Sequence, residues 1–122
     1  MIPADSDVEP LFEPDDLFYR YVHPKLADEN GWPNSGAFDD GELSVDWARL
    51  TDLDRALARR SHHGVVAITK SLCDDLGLEV RRDPLPDNPA HCLILGRKPG
   101  SIRRRLKESC VRLRRATPPP LA

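Results

Sequence analysis

The run Gly64-Val65-Val66-Ala67-Ile68-Thr69-Lys70-Ser71-Leu72-Cys73-Asp74-Asp75-Leu76-Gly77-Leu78-Glu79-Val80-Arg81-Arg82 holds one complete strand–helix–strand passage. Gly64–Thr69 contains no charged residue and reads as a buried strand. Thr69 or Ser71 caps a short helix over 70–76, with Leu72, Cys73 and Leu76 facing inward and Gly77 as its C′ stop. Residues 78–82 then read as a strand with Leu78 and Val80 on one face.

Upstream, Leu17–Val22 is aromatic and β-branched, a strand stopped at His23-Pro24. Residues 25–41 hold Asn30-Gly31, Pro33, Asn34, Gly36 and Gly41, the composition of a long loop. A compact domain keeps so long a loop only when it has a task. Leu43-Ser44-Val45 is a second short strand. Thr51 with Asp54 reads as a capping box opening a helix over 52–60. Downstream, residues 83–90 carry three prolines and cannot be regular. His91–Leu95 reads as the last strand, and Ser101 as the cap of a final helix from 102 to about 115. The order β-β-α-β-α-β-β-α predicts an α+β fold: a small single sheet with two or three packed helices, with an α/β sandwich as the alternative.

Length and charge bound the rest. At roughly 100–200 residues per domain, 122 residues make one domain. Residues 1–16 are acidic and rich in proline and read as a poorly ordered leader, 17–115 as the domain, and 116–122 as a proline-rich tail. The longest apolar run, Gly64 to Ile68, is far short of the roughly 20 residues of a membrane span. The N-terminus lacks the basic and apolar regions of a secretory signal, and three cysteines do not make a disulfide framework. These features predict a cytoplasmic protein with no membrane partner. Residues 1–96 carry nine basic and 19 acidic side chains, whereas 97–122 carry nine basic and one acidic. Such a basic segment binds nucleic acid, binds an anionic surface, or folds back on its own acidic body.

On a helix at about 100° per residue, Ile102, Leu106, Cys110 and Leu113 fall within an arc of about 80°. The candidate binding residues Arg97, Lys98, Arg103, Arg104, Arg105, Lys107, Arg112, Arg114 and Arg115 then form a basic surface around that stripe. Gly96-Arg97-Lys98-Pro99-Gly100-Ser101 sits between a strand and a helix, the right context for an anion, but lacks the phosphate-loop spacing. Cys73, Cys92 and Cys110 are too widely spaced, and His62-His63 too close, for a metal site, so neither metal nor cofactor is expected. His23 and His91 both lie at strand ends beside proline-fixed loops. Imidazoles so mounted serve as acid and base near neutral pH, or each hydrogen-bonds a strand end.

The strings Tyr19-Arg20-Tyr21-Val22-His23-Pro24, Gly36-Ala37-Phe38, Leu43-Ser44-Val45-Asp46 and Pro84-Leu85-Pro86-Asp87-Asn88-Pro89-Ala90-His91 resemble a group of small uncharacterised bacterial proteins. The resemblance covers residues 18–96 and implies a bacterial, cytoplasmic protein without implying an activity. A second resemblance is to ADP-ribosyltransferase-type toxin domains, with Arg20 and Ser44 in matching positions. Those enzymes need a late glutamate, and here the only glutamate after Asp83 is Glu108. Two functions follow. The first is an accessory module that binds a protein or nucleic-acid partner through the basic C-terminal helix. The alternative is a small hydrolase or transferase, toxin-like if the second resemblance holds, using His23 and His91 with Arg20 and Ser44 at a loop-lined pocket.

Overall fold

The computed structural model describes residues 12–118, so the expectations for leader residues 1–11 and tail residues 119–122 lie outside the described residues. Six strands form one antiparallel sheet: β1 (Leu17–Val22), β2 (Glu42–Trp47), β3 (Gly64–Thr69), β4 (Glu79–Arg82), β5 (His91–Leu95) and β6 (Val111–Arg114). Their spatial order is β4-β5-β2-β1-β3-β6. The three α-helices are α1 (Leu53–Ala58), α2 (Lys70–Asp75) and α3 (Gly100–Ser109). The fold class is α+β. Among the described residues, no helix is long and apolar enough to cross a membrane.

Side chains alternate across a strand, so the register sorts them into two faces. Phe18 lies opposite Trp47 and Ile68, and Leu43 opposite Ile94. These side chains share one face and form the core with Leu72 and Cys73 from α2 and Leu106 from α3. Burying each large apolar side chain contributes about 1.5–3 kcal/mol. Cys73 is fully buried, which pushes its thiol pKa up to about 12. Asp46 lies opposite both Tyr19 and His91, and this second set points to the other face.

The long 24–41 loop has a structural task. It folds into two 3-10 turns, Pro24–Leu26 and Ser35–Phe38, capped by the side chains of His23 and Asn34. The second turn delivers Ala37 and Phe38 into the core with no exposed surface.

The C-terminal third departs from expectation. α3 stops at Ser109, Cys110 is extended, and residues 111–114 form β6 along the edge of β3. His91–Leu95 is therefore not the last strand. The uncharged β3 would otherwise leave its ladder open on that side, and pairing its backbone outweighs two further turns of helix. Only Leu106 of the expected stripe is fully buried; Cys110 is half-buried and Leu113 exposed. Thr69 caps α2 as expected, its hydroxyl accepting from the Leu72 amide, but the hydroxyl caps expected of Thr51 and Ser101 do not form. Pro99 occupies the N-cap of α3 without a side-chain bond, and Asp52 rather than Thr51 caps α1. The Thr51 hydroxyl instead donates to the Trp47 carbonyl.

Order also starts earlier than Leu17. Phe12 stacks edge-on against Phe18 and Trp47 at 5.3 and 4.9 Å between ring centroids. The amides of Lys70 and Ser71 donate to the carbonyls of Asp16 and Pro14. The Asp16 carboxylate accepts from the Glu13 amide, the Trp47 indole and Arg49 at 2.7–3.0 Å. Burial alone would raise the pKa of this carboxyl; the Glu13, Trp47 and Arg49 donors outweigh burial and hold it below the usual value.

Asp16→Asn should cost about 1.5–3 kcal/mol at neutral pH in urea unfolding, because it weakens charge-assisted bonds to a buried partner. A carboxyl depressed in the folded state stabilises above its unfolded pKa, and that contribution disappears as pH falls through the folded value. The wild-type advantage over Asp16→Asn should therefore shrink below about pH 4. A gap independent of pH would assign the role of Asp16 to packing alone.

Candidate functional site

β1 and β2 pair only at Phe18↔Trp47 and Tyr19↔Asp46, whereas β1 and β3 pair at six positions. Beyond Tyr19 the first two strands part, and Arg20 fills the gap. Its Nε donates to the Ala37 carbonyl and its Nη1 to the Ser44 carbonyl, both at 3.1 Å. The guanidinium thus replaces ladder hydrogen bonds that the separated strands no longer make. Burial lowers its pKa and the charge of Asp40 opposes that, but an arginine stays protonated regardless.

Over this gap lies a cleft of about 660 Å³ on the face opposite the core. Its floor holds Tyr21, Ser44, Asp46 and His91; α1 and the residues after it add Arg55, Arg59 and Arg60; the loops add His23, His63 and Asn88. All four residues expected to carry catalysis, His23, His91, Arg20 and Ser44, line this one cleft. They do not converge on one point. Asp46 lies opposite both Tyr19 and His91, and His23 is four residues beyond Tyr19. At about 3.3 Å per residue and about 4.8 Å between strands, the two histidine Cα atoms are roughly 16 Å apart.

At the His91 end, Asp46 is buried at 6% exposure. Its two oxygens accept from the Tyr21 hydroxyl and the Asn88 amide, each at 2.8 Å. Burial first, then the bond to Asp46 and its charge, raise the Tyr21 pKa, so the phenol remains a neutral donor. His91 Nδ1 lies 3.0 Å from both the carbonyl and the carboxylate of Asp83. Both partners are acceptors only, so Nδ1 carries the proton and Nε2 of the neutral ring carries the lone pair.

The His23 end is different. His23 Nδ1 accepts from the Lys25 amide at 3.0 Å, which places the proton of the neutral ring on Nε2. Its ring meets that of His63 edge-on at 5.2 Å. Arg60 sits over the Tyr21 ring at 4.2 Å. Burial, then electrostatic repulsion from His23, Arg60, Arg114 and His62, lower the His63 pKa. No carboxylate is ion-paired with these groups among the described residues.

The expected basic surface is divided by the fold. Lys98 is buried, and its ammonium donates to the carbonyls of Asp40, Ile94 and Gly96, so it clamps loops rather than presenting charge. Burial lowers its pKa against the opposing charge of Asp40. Arg103 donates to the Lys98 carbonyl, and Arg114 to the carbonyls of Arg60 and Ser61. Arg112 and Arg115 lie 5.2 and 5.4 Å from the Trp32 ring centroid. Arg97, Arg104 and Arg105 are exposed and Lys107 is half-buried.

Tyr21, Asp46, Asp83, Asn88, Arg60 and His63 are site residues that sequence reasoning did not single out. Asp46 had a visible signal, a carboxylate set between Val45 and Trp47 in a strand. Nothing local marks Asn88 or Asp83 as its neighbours. Comparison with protein-family models, curated proteins and solved structures found no match.

Tyr21→Phe keeps the ring beneath Arg60 and removes one of the two donors to Asp46. The expected cost is about 1.5–3 kcal/mol in chemical denaturation, the usual range for a bond to a charged group. An unchanged midpoint would mean that water replaces the phenol.

Proposed function

We propose that this protein binds a small anionic ligand in the open-face cleft and acts on it by proton transfer through His91, as a small hydrolase or transferase. The observation that carries this reading is the pair of guanidinium groups of Arg60 and Arg114, within or beside the cleft next to the His23 and His63 rings, with no carboxylate ion-paired to either among the described residues. A protein normally neutralises such a cluster with carboxylates or leaves it to a ligand. At the other end, Asp83 holds His91 in the tautomer of a proton acceptor, which is the arrangement a general base needs. A cytoplasmic setting fits a chain of three cysteines in which Cys73 is a buried thiol.

Pyrophosphate is a suitable probe. At about 100 times its Kd a single-site ligand stabilises by about 2.7 kcal/mol, a rise in Tm on the order of 10 °C for a domain of this size. Replacing Arg59 and Arg60 together with glutamine should remove most of that rise. A Tm unmoved at every pyrophosphate concentration would overturn the reading.

A second reading, an accessory module for a nucleic-acid or protein partner, is favoured by Trp32 lying against Arg112 and Arg115 and by the exposed Arg104 and Arg105 of α3. Aromatic rings among guanidinium groups are the surface single-stranded nucleic acid uses. If the partner is nucleic acid, replacing Arg104, Arg105 and Arg112 with glutamine should flatten the salt dependence of binding by roughly one phosphate contact per arginine. Absence of DNA and RNA binding at low salt would leave a protein partner as the only form of this reading.

A further inference from the structure

The two ends of the cleft make opposite hydrogen-bonding and electrostatic demands. At one end the neutral His23 ring offers Nε2–H, because its Nδ1 already accepts from Lys25. The His63 ring meets it edge-on, and the guanidinium groups of Arg60 and Arg114 act on these rings as the cationic charges of this end. This end calls for an anionic acceptor. At the other end Nε2 of His91 offers a lone pair, because its Nδ1 donates to Asp83. Asp46, Asp83 and the cleft-lining Asp87 place carboxylates there, which repel an anion and favour a group that donates a proton. Between the two ends, the Tyr21 hydroxyl and the Asp46 carboxylate are engaged with each other and with Asn88, so the floor is already satisfied. The separation of roughly 16 Å between the histidine Cα atoms is too great for one reacting atom to touch both rings, and suits a ligand with two distinct polar ends.

We propose that the cleft takes a phosphorylated sugar or nucleoside in one fixed orientation, with its phosphate at the His23–His63 end and a hydroxyl donating to His91. This rests on the reading of the cleft as an anion site and adds the direction of binding and the ligand class. His91 then accepts a hydrogen bond from the bound hydroxyl at Nε2, and Asp83 is its positioning residue. The phosphate serves as the handle and the distal hydroxyl as the group presented for reaction.

Imidazole nitrogen NMR on the full chain tests this directly. Without ligand, His91 should show its proton on Nδ1 and His23 on Nε2. Inorganic phosphate should shift the His23 and His63 signals and leave those of His91 in place. Ribose 5-phosphate should shift all three and bind at least about tenfold tighter than inorganic phosphate, while ribose alone should bind more weakly than either. Arg60→Gln should weaken phosphate and ribose 5-phosphate alike, and Asp83→Asn should redistribute the His91 proton without moving the phosphate response. Phosphate shifting His91 before His23, or equal affinity for inorganic phosphate and ribose 5-phosphate, would overturn the orientation while leaving an anion site in place. No response of any imidazole to either phosphate would overturn both the orientation and the anion-site reading on which it rests.

Discussion

Arg20 sets the geometry on which the cleft depends. A sheet strand that departs from its neighbour leaves backbone carbonyls without donors, and such groups are costly when buried. By donating to Ser44 and Ala37, one guanidinium satisfies the carbonyl freed on β2 and the carbonyl that ends the Phe38-bearing turn. The sheet can therefore open between β1 and β2 without losing the core beneath it, where Phe38 is fully buried. Arginine suits this role because its planar fork reaches two acceptors in different directions and keeps its charge when half-buried. The same residue explains why the cleft lies over the sheet rather than at its edge.

The polar chemistry of the cleft is organised by loops, and the loops are organised by backbone hydrogen bonds. Leu85 and Asn88 exchange amide–carbonyl bonds across the proline-rich 83–90 segment, which carries the Asn88 side chain to Asp46. Asp83 sits where the same segment leaves β4, so its carbonyl and carboxylate both meet His91. On the other side Pro24 starts a 3-10 turn whose Lys25 amide engages His23. Two histidines in similar sequence settings, each next to proline-bearing loops, are thereby held in opposite tautomers. Residue type alone would make them equivalent; their hydrogen-bond partners do not.

Much of the fold was legible locally. Leu17–Val22, Gly64–Thr69 and His91–Leu95 are strands where alternation and the absence of charge place them, and Thr69 and Gly77 bracket α2 as cap and stop. The 24–41 and 83–90 segments are irregular except for short turns, as their glycine and proline content requires. What composition misread is the stretch 12–16. Phe12 and Asp16 lie in a stretch whose charge and prolines argue for disorder, yet one ring and one carboxylate suffice to fasten it to Trp47 and Arg49. Local statistics average over such single anchoring contacts.

The sequence by itself determined five of the six described strands, the short helices, the α+β class and four residues that line the cleft, because those properties follow from side-chain alternation and local capping. Only the tertiary structure decided that residues 111–114 would be strand rather than helix. Their helical periodicity is real, but the open edge of β3 offers three positions of backbone pairing that an isolated segment cannot weigh. That choice removes Arg112 and Arg114 from a helical surface, sets Arg112 against Trp32 and brings Arg114 beside Arg60. It likewise decided that Lys98 is a clamp, that His23 and His91 stand at separate ends of one cleft, and that Asp46 is the buried neighbour of His91. Long-range hydrogen bonds and burial fix these roles, and neither is a property of any short stretch of chain.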